Sequence, residues 1–214
     1  MLGAVRSRIL IAFLCCVVSI AVLRFVSSGS VADDSHGGPN AHFQVSNPAE
    51  LGSIRAEEIY QSIRKSMAEH YGESSDPLTE TYQHWLRANR FPYPSAAHGD
   101  IFINDYVNAA AAPQFAARDR SHPYPAGSVV VKDGFIVTKE GNILTAPMNI
   151  IEKLPASAVN TDDWRFIQIR PNGTVIGADV GDERTRFCAD CHIKRNGALA
   201  PFFFVTSGAE ARND

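Results

Sequence analysis

The sequence predicts an α+β fold in which N-terminal helices are followed by an antiparallel β-sheet. Two observations predict it. Before residue 113 the apolar residues recur at helical spacing, whereas after Pro125 they form short β-branched runs separated by turn residues. Because helices and strands are segregated along the chain, an α+β layout is favoured over alternating βαβ units. The composition, 45% apolar and 20% charged, is that of an ordinary globular domain.

The first 32 residues are predicted to be a secretory signal peptide. Arg6 and Arg8 precede an apolar run over residues 9–23, and small residues follow at 27–30. The run is shorter than the ~20 apolar residues that a spanning helix needs, so a cleaved signal is favoured over an uncleaved membrane anchor. Residues 33–52 are polar and glycine-rich and are expected to be a flexible lead-in to a domain over 53–214.

The charge of the mature chain limits its partners. Removal of the signal would take away three arginines and no acid, which changes the formal net charge from −3 to −6. The chain has no basic cluster with interleaved aromatic residues, so nucleic acid is not an expected partner. The acidic charge of the mature chain fits a soluble partner in the periplasm.

Three helices are predicted before the sheet. The first carries an apolar residue at every fourth position and ends at Gly72. The second is expected to start at Asp76-Pro77 and to stop before Pro92. A third, alanine-rich helix is expected over residues 104–112, with Pro113 breaking it. The stripe of the first helix consists of Ile59, Ile63, Met67 and Tyr71.

Six strands are predicted after Pro125, each rich in β-branched or aromatic residues. Turn residues separate them at Asp133-Gly134, at Glu140-Gly141-Asn142 and at Pro171-Asn172-Gly173. The expected strands are 128–131, 135–138, 143–145, 148–151, 164–169 and 174–176.

Beyond the last strand, Cys188-Ala189-Asp190-Cys191-His192 forms a C-x-x-C-H motif. Haem c attachment needs two thiols for the two vinyl groups and an adjacent histidine for the iron, and this motif supplies all three. A zinc site would need further ligands, and a thioredoxin-type pair normally follows an early strand in a βαβ unit. The sequence therefore predicts one covalently bound haem c near the C-terminus, with Cys188 and Cys191 as attachment points and His192 as iron ligand.

The second axial position of the iron decides the class of function. Only 22 residues follow His192, and none is methionine or histidine. Met67 and Met148 fall in apolar helix and strand patterns and are expected in the core. An open iron site that binds small molecules is therefore predicted. An electron-transfer cytochrome remains an alternative, and it would need a sixth ligand such as Met148 or His98.

Several further segments, in the same order, resemble the cytochrome P-460 family, which includes the cytochromes c′-beta. The resemblance covers about residues 53–206. Its most specific part is the Tyr-Pro-x-Gly segment that runs into Lys132, combined with a C-terminal haem motif. The matching segments are His98-Gly99, Ile103-Asn104-Asp105-Tyr106-Val107-Asn108, Tyr124-Pro125-Ala126-Gly127-Ser128-Val129-Val130-Val131-Lys132, Asp163-Trp164-Arg165-Phe166, Pro171-Asn172-Gly173 and the C-x-x-C-H motif.

The resemblance implies a homodimer with the haem lying against an antiparallel sheet. In P-460 proper, a lysine is cross-linked to the haem macrocycle, and the enzyme oxidises hydroxylamine with nitric oxide chemistry. The cytochromes c′-beta lack the link and bind nitric oxide or carbon monoxide under a hydrophobic distal face. Lys132 matches the cross-linking position, although Lys132-Asp133-Gly134 also reads as an exposed hairpin turn. On a strand, Lys132 would share a face with Val130.

The distal residues are less defined by the sequence. Phe102 could form a hydrophobic cap over the iron, although the core is the more common place for such a phenylalanine. His98 could contact a haem propionate or cap a helix. The family enzymes also use a distal arginine, which no motif places here, and a carboxylate base. The carboxylate candidates are Asp100, Glu140, Glu152 and Asp163.

Overall fold

The computed structural model describes residues 51–118, 121–155, 163–177 and 181–196. The predicted signal over 1–32 and nearly all of the lead-in over 33–52 lie outside these residues. The helices are α1 (Ser53–Gly72), α2 (Leu78–Thr81), α3 (Ala112–Ala117) and α4 (Arg186–Asn196). The strands are β1 (Leu86–Arg87), β2 (Tyr93–Ser95), β3 (Ile101–Val107), β4 (Val129–Val137), β5 (Ile143–Thr145), β6 (Met148–Lys153), β7 (Trp164–Ile169) and β8 (Val175–Ile176).

One sheet organises the described part of the chain. Its strand order is β1-β3-β4-β6-β7-β8, while β2 also pairs with β3 and β5 also pairs with β4. The pairings are antiparallel, which confirms the predicted α+β class with an antiparallel sheet. Of the helices in the described ranges, none is both long and apolar enough to cross a membrane.

Helix α1 covers one face of the sheet, and its predicted apolar stripe and its end at Gly72 are confirmed. Ile59, Met67 and Tyr71 are buried on it, and Ile63 packs against the same core at partial burial. Tyr71 donates a hydrogen bond from its hydroxyl to the carbonyl of Ala146 at 2.5 Å, which ties the helix to the sheet. The sheet residues of this core include Phe102, Tyr106, Val129, Val131, Phe135, Met148, Ile150, Ile167 and Ile169.

The opposite face of the sheet carries a second, smaller core beside α4. Val130 on β4 belongs to it, whereas Val129 and Val131 belong to the α1 side, as strand alternation requires. Trp164 is fully buried there, and Ala189 of α4 is nearly so. The face that α4 shares is therefore the face toward which Lys132 is directed.

The predicted third helix over 104–112 is wrong, because residues 101–107 form strand β3. Asn104 and Asp105 do not start a helix; they are buried in the strand, where side chains of neighbouring strands and loops satisfy them. The helix α3 begins only at Ala112, with Pro113 in its first turn. Proline is tolerated there because the first turn has no intrahelical partner for its missing N–H.

The predicted turn at Asp133-Gly134 is also wrong, because β4 runs without interruption from Val129 to Val137. Gly134 is required by close approach rather than by a turn. A Cβ atom at this position would lie 2.1 Å from the backbone oxygen of Phe102 on the paired strand. Lys132 is consequently an internal strand residue, not part of an exposed hairpin.

The second helix is shorter than predicted. It begins near Pro77 as expected, but α2 ends at Thr81 and a single 3₁₀ turn follows over Tyr82–His84. The chain then becomes extended at β1, which pairs with the end of β3. The residues at this edge of the sheet are therefore ones whose apolar periodicity alone predicted a helix.

Asp133 forms the centre of a buried polar network between α1 and the sheet. Its carboxylate accepts hydrogen bonds from Tyr60 Oη at 2.8 Å, Tyr82 Oη at 2.9 Å and Asn104 Nδ2 at 3.1 Å. Complete burial raises the pKa of Asp133 to about 6, and the hydrogen bonds and the nearby Arg87 guanidinium oppose that rise. The network therefore holds a carboxyl group that titrates in the folded protein well above its ordinary range.

We expect replacement of Asp133 by asparagine to change the pH dependence of stability. The stabilising contribution of an acid whose pKa is raised is fully present below its unfolded pKa of 3.8 and is lost as the pH rises through 6. Two pKa units correspond to about 3 kcal/mol. From pH 4 to pH 7.5, the difference in free energy of unfolding between D133N and the parent should therefore shift by about 3 kcal/mol in favour of D133N. Urea unfolding at both pH values measures this difference.

The exposed carboxylate of Glu80 provides the control, because E80Q makes the same type of change outside the network. A difference between D133N and the parent that stays constant from pH 4 to pH 7.5 would contradict the assignment of this titration to Asp133.

Candidate functional site

A cavity, partly open to solvent, lies between α4 and the sheet. Residues from α4, from β4, β6 and β7, and from the segment that enters β3 line it. Most of this lining is apolar. The lining residues are Ala97, His98, Ile101, Lys132, Pro147, Asn149, Ile150, Ile151, Phe166, Ile167, Gln168, Phe187, Cys188, Cys191 and His192.

Helix α4 brings the whole C-x-x-C-H motif to this cavity. Positions three and four apart on a helix share a face, so Cys188, Cys191 and His192 are directed to the same side. Ala189 packs into the second core, and Cys188 contacts the same core, which holds the helix against the sheet. His192 is 6% exposed, and its ring lies 5.9 Å from the ring of Phe166.

The two cysteines are not joined to each other, and both are half-buried. Burial raises the pKa of the Cys188 thiol to about 11. The thiol is therefore protonated at neutral pH, a state in which it is a poor nucleophile and resists oxidation. Two free thiols and a buried imidazole on one helical face match the donor set that a covalently attached haem requires.

Lys132 reaches the cavity from β4 and is 4% exposed. Its amine forms a short ion pair with Asp105 on β3, which is the residue directly opposite in the strand register. Tyr93 donates a hydrogen bond to the other oxygen of Asp105 at 2.7 Å and lies 3.4 Å from Lys132 Nζ. The predicted sharing of a face between Lys132 and Val130 is confirmed, and the amine is held in place by two partners.

The register places four polar residues in one row across the apolar face of the sheet. Asp105 pairs with Lys132, Lys132 with Asn149, and Asn149 with Gln168. Residues paired in this way point to the same face of the sheet. Gln168 Nε2 donates a hydrogen bond to Asn149 Oδ1 at 3.1 Å, so the row ends in a connected pair of amides. Lys132, Asn149 and Gln168 all line the cavity.

His98 faces the same cavity from the 3₁₀ turn that precedes β3. Its ring centroid lies 6.2 Å from that of His192. Its Nδ1 atom is hydrogen-bonded to Ser95 Oγ at 2.8 Å. Burial and the positive charge of Lys132 lower the pKa of His98, which favours a neutral imidazole.

Other residues singled out in the sequence lie away from the cavity. Phe102 is buried on the α1 side of the sheet, where it stacks on Phe135 with ring centroids 5.1 Å apart. Met67 and Met148 belong to the same core. None of these side chains is among the cavity-lining residues of the described chain.

The four carboxylates proposed as distal bases do not line the cavity either. Glu152 is paired with Arg165, and Asp163 lies 3.8 Å from Lys153. Asp100 and Glu140 are exposed. No arginine lines the cavity within the described ranges.

Asp105, Asn149 and Gln168 are the polar residues of the site that sequence patterns did not single out. Asp105 falls in a segment whose pattern predicts the start of a helix, and the two amides lie in strands where they interrupt apolar runs. The sequence feature that points to these residues is one polar residue inside each of four strands. The strand register was needed to show that these residues form one row.

No group of three or more His, Cys, Asp or Glu side chains that could hold a bare metal ion occurs among the residues that the structure describes. No family model matches the chain, and no curated protein matches it.

Proposed function

We propose that the chain is an exported mono-haem c protein of the P-460 type, with an open iron site that oxidises hydroxylamine or handles nitric oxide. The observation that supports this proposal most is that one cavity joins Cys188, Cys191 and His192 of α4 to Lys132 of β4. The mostly apolar lining between them suits a flat aromatic macrocycle. The C-x-x-C-H spacing and the resemblance to the P-460 family agree with this arrangement.

Each residue of this set has a role in the proposal. Cys188 and Cys191 would hold the haem through thioether bonds, and His192 would ligate the iron. When bound, the haem supplies an iron centre that can bind a small nitrogen ligand and accept its electrons. A periplasmic electron-transfer protein would then receive those electrons. The protein itself must hold the cofactor, exclude competing ligands and provide acceptors for protons.

Lys132 is the proposed cross-linking residue, and Asp105 supports it. The Lys132 amine lies at the cavity wall, where a macrocycle held by α4 would come within its reach. Asp105 contacts this amine directly and is able to accept its proton. Tyr93 binds the second oxygen of the same carboxylate. This trio is the proton-handling group that the structure favours over the four carboxylates considered from the sequence.

An electron-transfer cytochrome is the second candidate, and the position of His98 favours it. The rings of His98 and His192 share one cavity at a centroid separation of 6.2 Å. Because Ser95 engages Nδ1 of His98, the Nε2 atom is the nitrogen that remains for an iron. His98 and His192 would then both hold the iron, and the site would be closed to substrates.

Absorption and electron paramagnetic resonance spectra of the exported holoprotein distinguish the candidates. A high-spin iron that takes up hydroxylamine or nitric oxide is expected for an open site. A low-spin, six-coordinate iron in both oxidation states, converted to high-spin by H98A, would instead establish the electron-transfer candidate.

A tryptic digest tests Lys132 separately. A cross-linked Lys132 resists cleavage, so residues 121–139 should remain one peptide and travel with the haem peptide 187–194. Haem without that companion peptide would favour a c′-beta-like binder of nitric oxide or carbon monoxide without catalysis.

The proposal includes export to the periplasm by the signal over 1–32, or anchoring through it if it stays uncleaved. It also includes a homodimer, as the resemblance implies. Sedimentation of the purified holoprotein checks the dimer.

A further inference from the structure

The polar row across the cavity floor ends in two amides whose chemistry is not required for holding haem. Asn149 and Gln168 lie opposite each other on β6 and β7, and both line the cavity that contains the haem motif. The other residues of this floor are largely apolar, such as Ile151 and Phe166. Polar side chains in an otherwise apolar pocket fix the orientation and identity of the ligand that enters it.

The two amides leave one amino group and one carbonyl group unused for such a ligand. A primary amide carries an amino group with two N–H donors and a carbonyl oxygen with two lone pairs. The hydrogen bond from Gln168 Nε2 to Asn149 Oδ1 uses one group of each residue. The amino group of Asn149 then makes only a long contact of 3.5 Å to the carbonyl of Pro147. Gln168 Oε1 accepts no hydrogen bond from the described part of the chain.

The kinds of group that remain for a ligand do not depend on how the two amides are turned. If both amides are rotated by half a turn, Asn149 donates to Gln168, and Gln168 Nε2 and Asn149 Oδ1 become the groups that remain. In either arrangement the pair presents one amino group and one carbonyl group that are not used within the pair. The pair is also uncharged, and the neighbouring Lys132 is neutralised by Asp105.

We propose that Asn149 and Gln168 are the specificity-determining subsite for a small neutral ligand that carries both a donor and an acceptor. Hydroxylamine is such a molecule, whereas nitric oxide and carbon monoxide have no hydrogen to donate. An amide pair of this kind therefore favours hydroxylamine over diatomic gases. The inference rests on the proposed function, because it assumes that the cavity holds a haem whose iron is open on the side of the amides.

The test is an equilibrium titration of the ferric holoprotein with hydroxylamine, without an electron acceptor, followed by the shift of the Soret band. The variants N149L and Q168L replace each amide with an apolar group of similar size. Each should bind hydroxylamine about threefold to tenfold more weakly, which is the expected loss for one hydrogen bond. In both variants the affinity for carbon monoxide in the ferrous state should fall less than the affinity for hydroxylamine, because carbon monoxide can accept a hydrogen bond but has no hydrogen to donate.

Q61L is the matched control, because it makes the same change of an amide to an alkyl group on the exposed surface of α1. Unchanged hydroxylamine affinity in both N149L and Q168L would overturn the inference while leaving the haem assignment in place. Reduced haem content in these variants would also overturn it, since the amides would then serve the cofactor. A parent protein without haem would overturn the proposed function itself.

Discussion

Replacing both Cys188 and Cys191 with alanine should abolish covalent haem attachment. Both thiols line the same cavity as His192, and each is expected to form one thioether bond. Without them, any haem that enters the cavity is held only by His192 and by apolar contacts, and it leaves when the protein is denatured. Haem staining after denaturing electrophoresis should therefore fall from full intensity to background in C188A/C191A.

The remaining cysteines provide an internal control. Cys15 and Cys16 lie within the predicted signal, so C15A/C16A should retain the full haem stain. Each single variant, C188A or C191A, should keep one thioether bond and give a less stable holoprotein. A double variant that still carries haem after denaturation would show that these thiols are not the attachment points.

Replacing Lys132 with methionine should lower the free energy of unfolding by about 3–5 kcal/mol, which is the usual cost of removing one partner of a buried ion pair. Lys132 and Asp105 are respectively 4% and 2% exposed, so solvent cannot compensate the carboxylate that remains. Tyr93 would still donate to that carboxylate, but a single neutral hydrogen bond cannot replace the ammonium charge. Urea unfolding of the haem-free proteins, in which the Lys132 amine carries no cross-link, measures the loss.

The double variant K132M/D105N separates the ion pair from simple packing. Because asparagine carries no charge, the double variant should regain most of the stability that K132M loses. K153M is a suitable comparison, because the Lys153 side chain is more exposed and lies 3.8 Å from its Asp163 partner. Equal losses in K132M and K132M/D105N would contradict a charge effect at Asp105.

Residues with strong local patterns revealed much of this fold. The stripe from Ile59 to Tyr71 predicted α1, and the β-branched runs predicted the strands at 143–145 and 164–169. Local patterns failed where tertiary contacts decide the structure. Strand β3 contains Asn104 and Asp105, which favour turns and helix starts in isolation. Their hydrogen bonds to side chains of other segments outweigh that preference.

The structural role of Gly134 was ambiguous in the sequence for a related reason. Asp133-Gly134 is a common turn pair, yet Gly134 serves a close contact with the carbonyl of Phe102 inside a continuous strand. Only the partner strand reveals which of the two uses applies. The place of Phe102 could not be predicted for the same reason, because the face of the sheet on which its side chain lies follows from the pairing of β3.

The residues of the candidate site also fall into those that local sequence patterns reveal and those that they do not. Cys188, Cys191 and His192 could be found because adjacent residues in the chain carry their chemistry. Lys132 could be found through the resemblance and through its valine neighbours. Asp105, Asn149 and Gln168 could not be found, because they become one group only through the register of separate strands.

We propose above that Cys188 and Cys191 hold a haem beside His192. The most direct measurement is the mass of the tryptic peptide 187–194, prepared from protein exported by a host that matures c-type cytochromes. We predict a peptide heavier than its sequence mass by one haem, with fragment ions that place the addition on the two cysteines. A peptide of unmodified mass, or one that differs only by a disulfide, would contradict covalent attachment of haem to these cysteines.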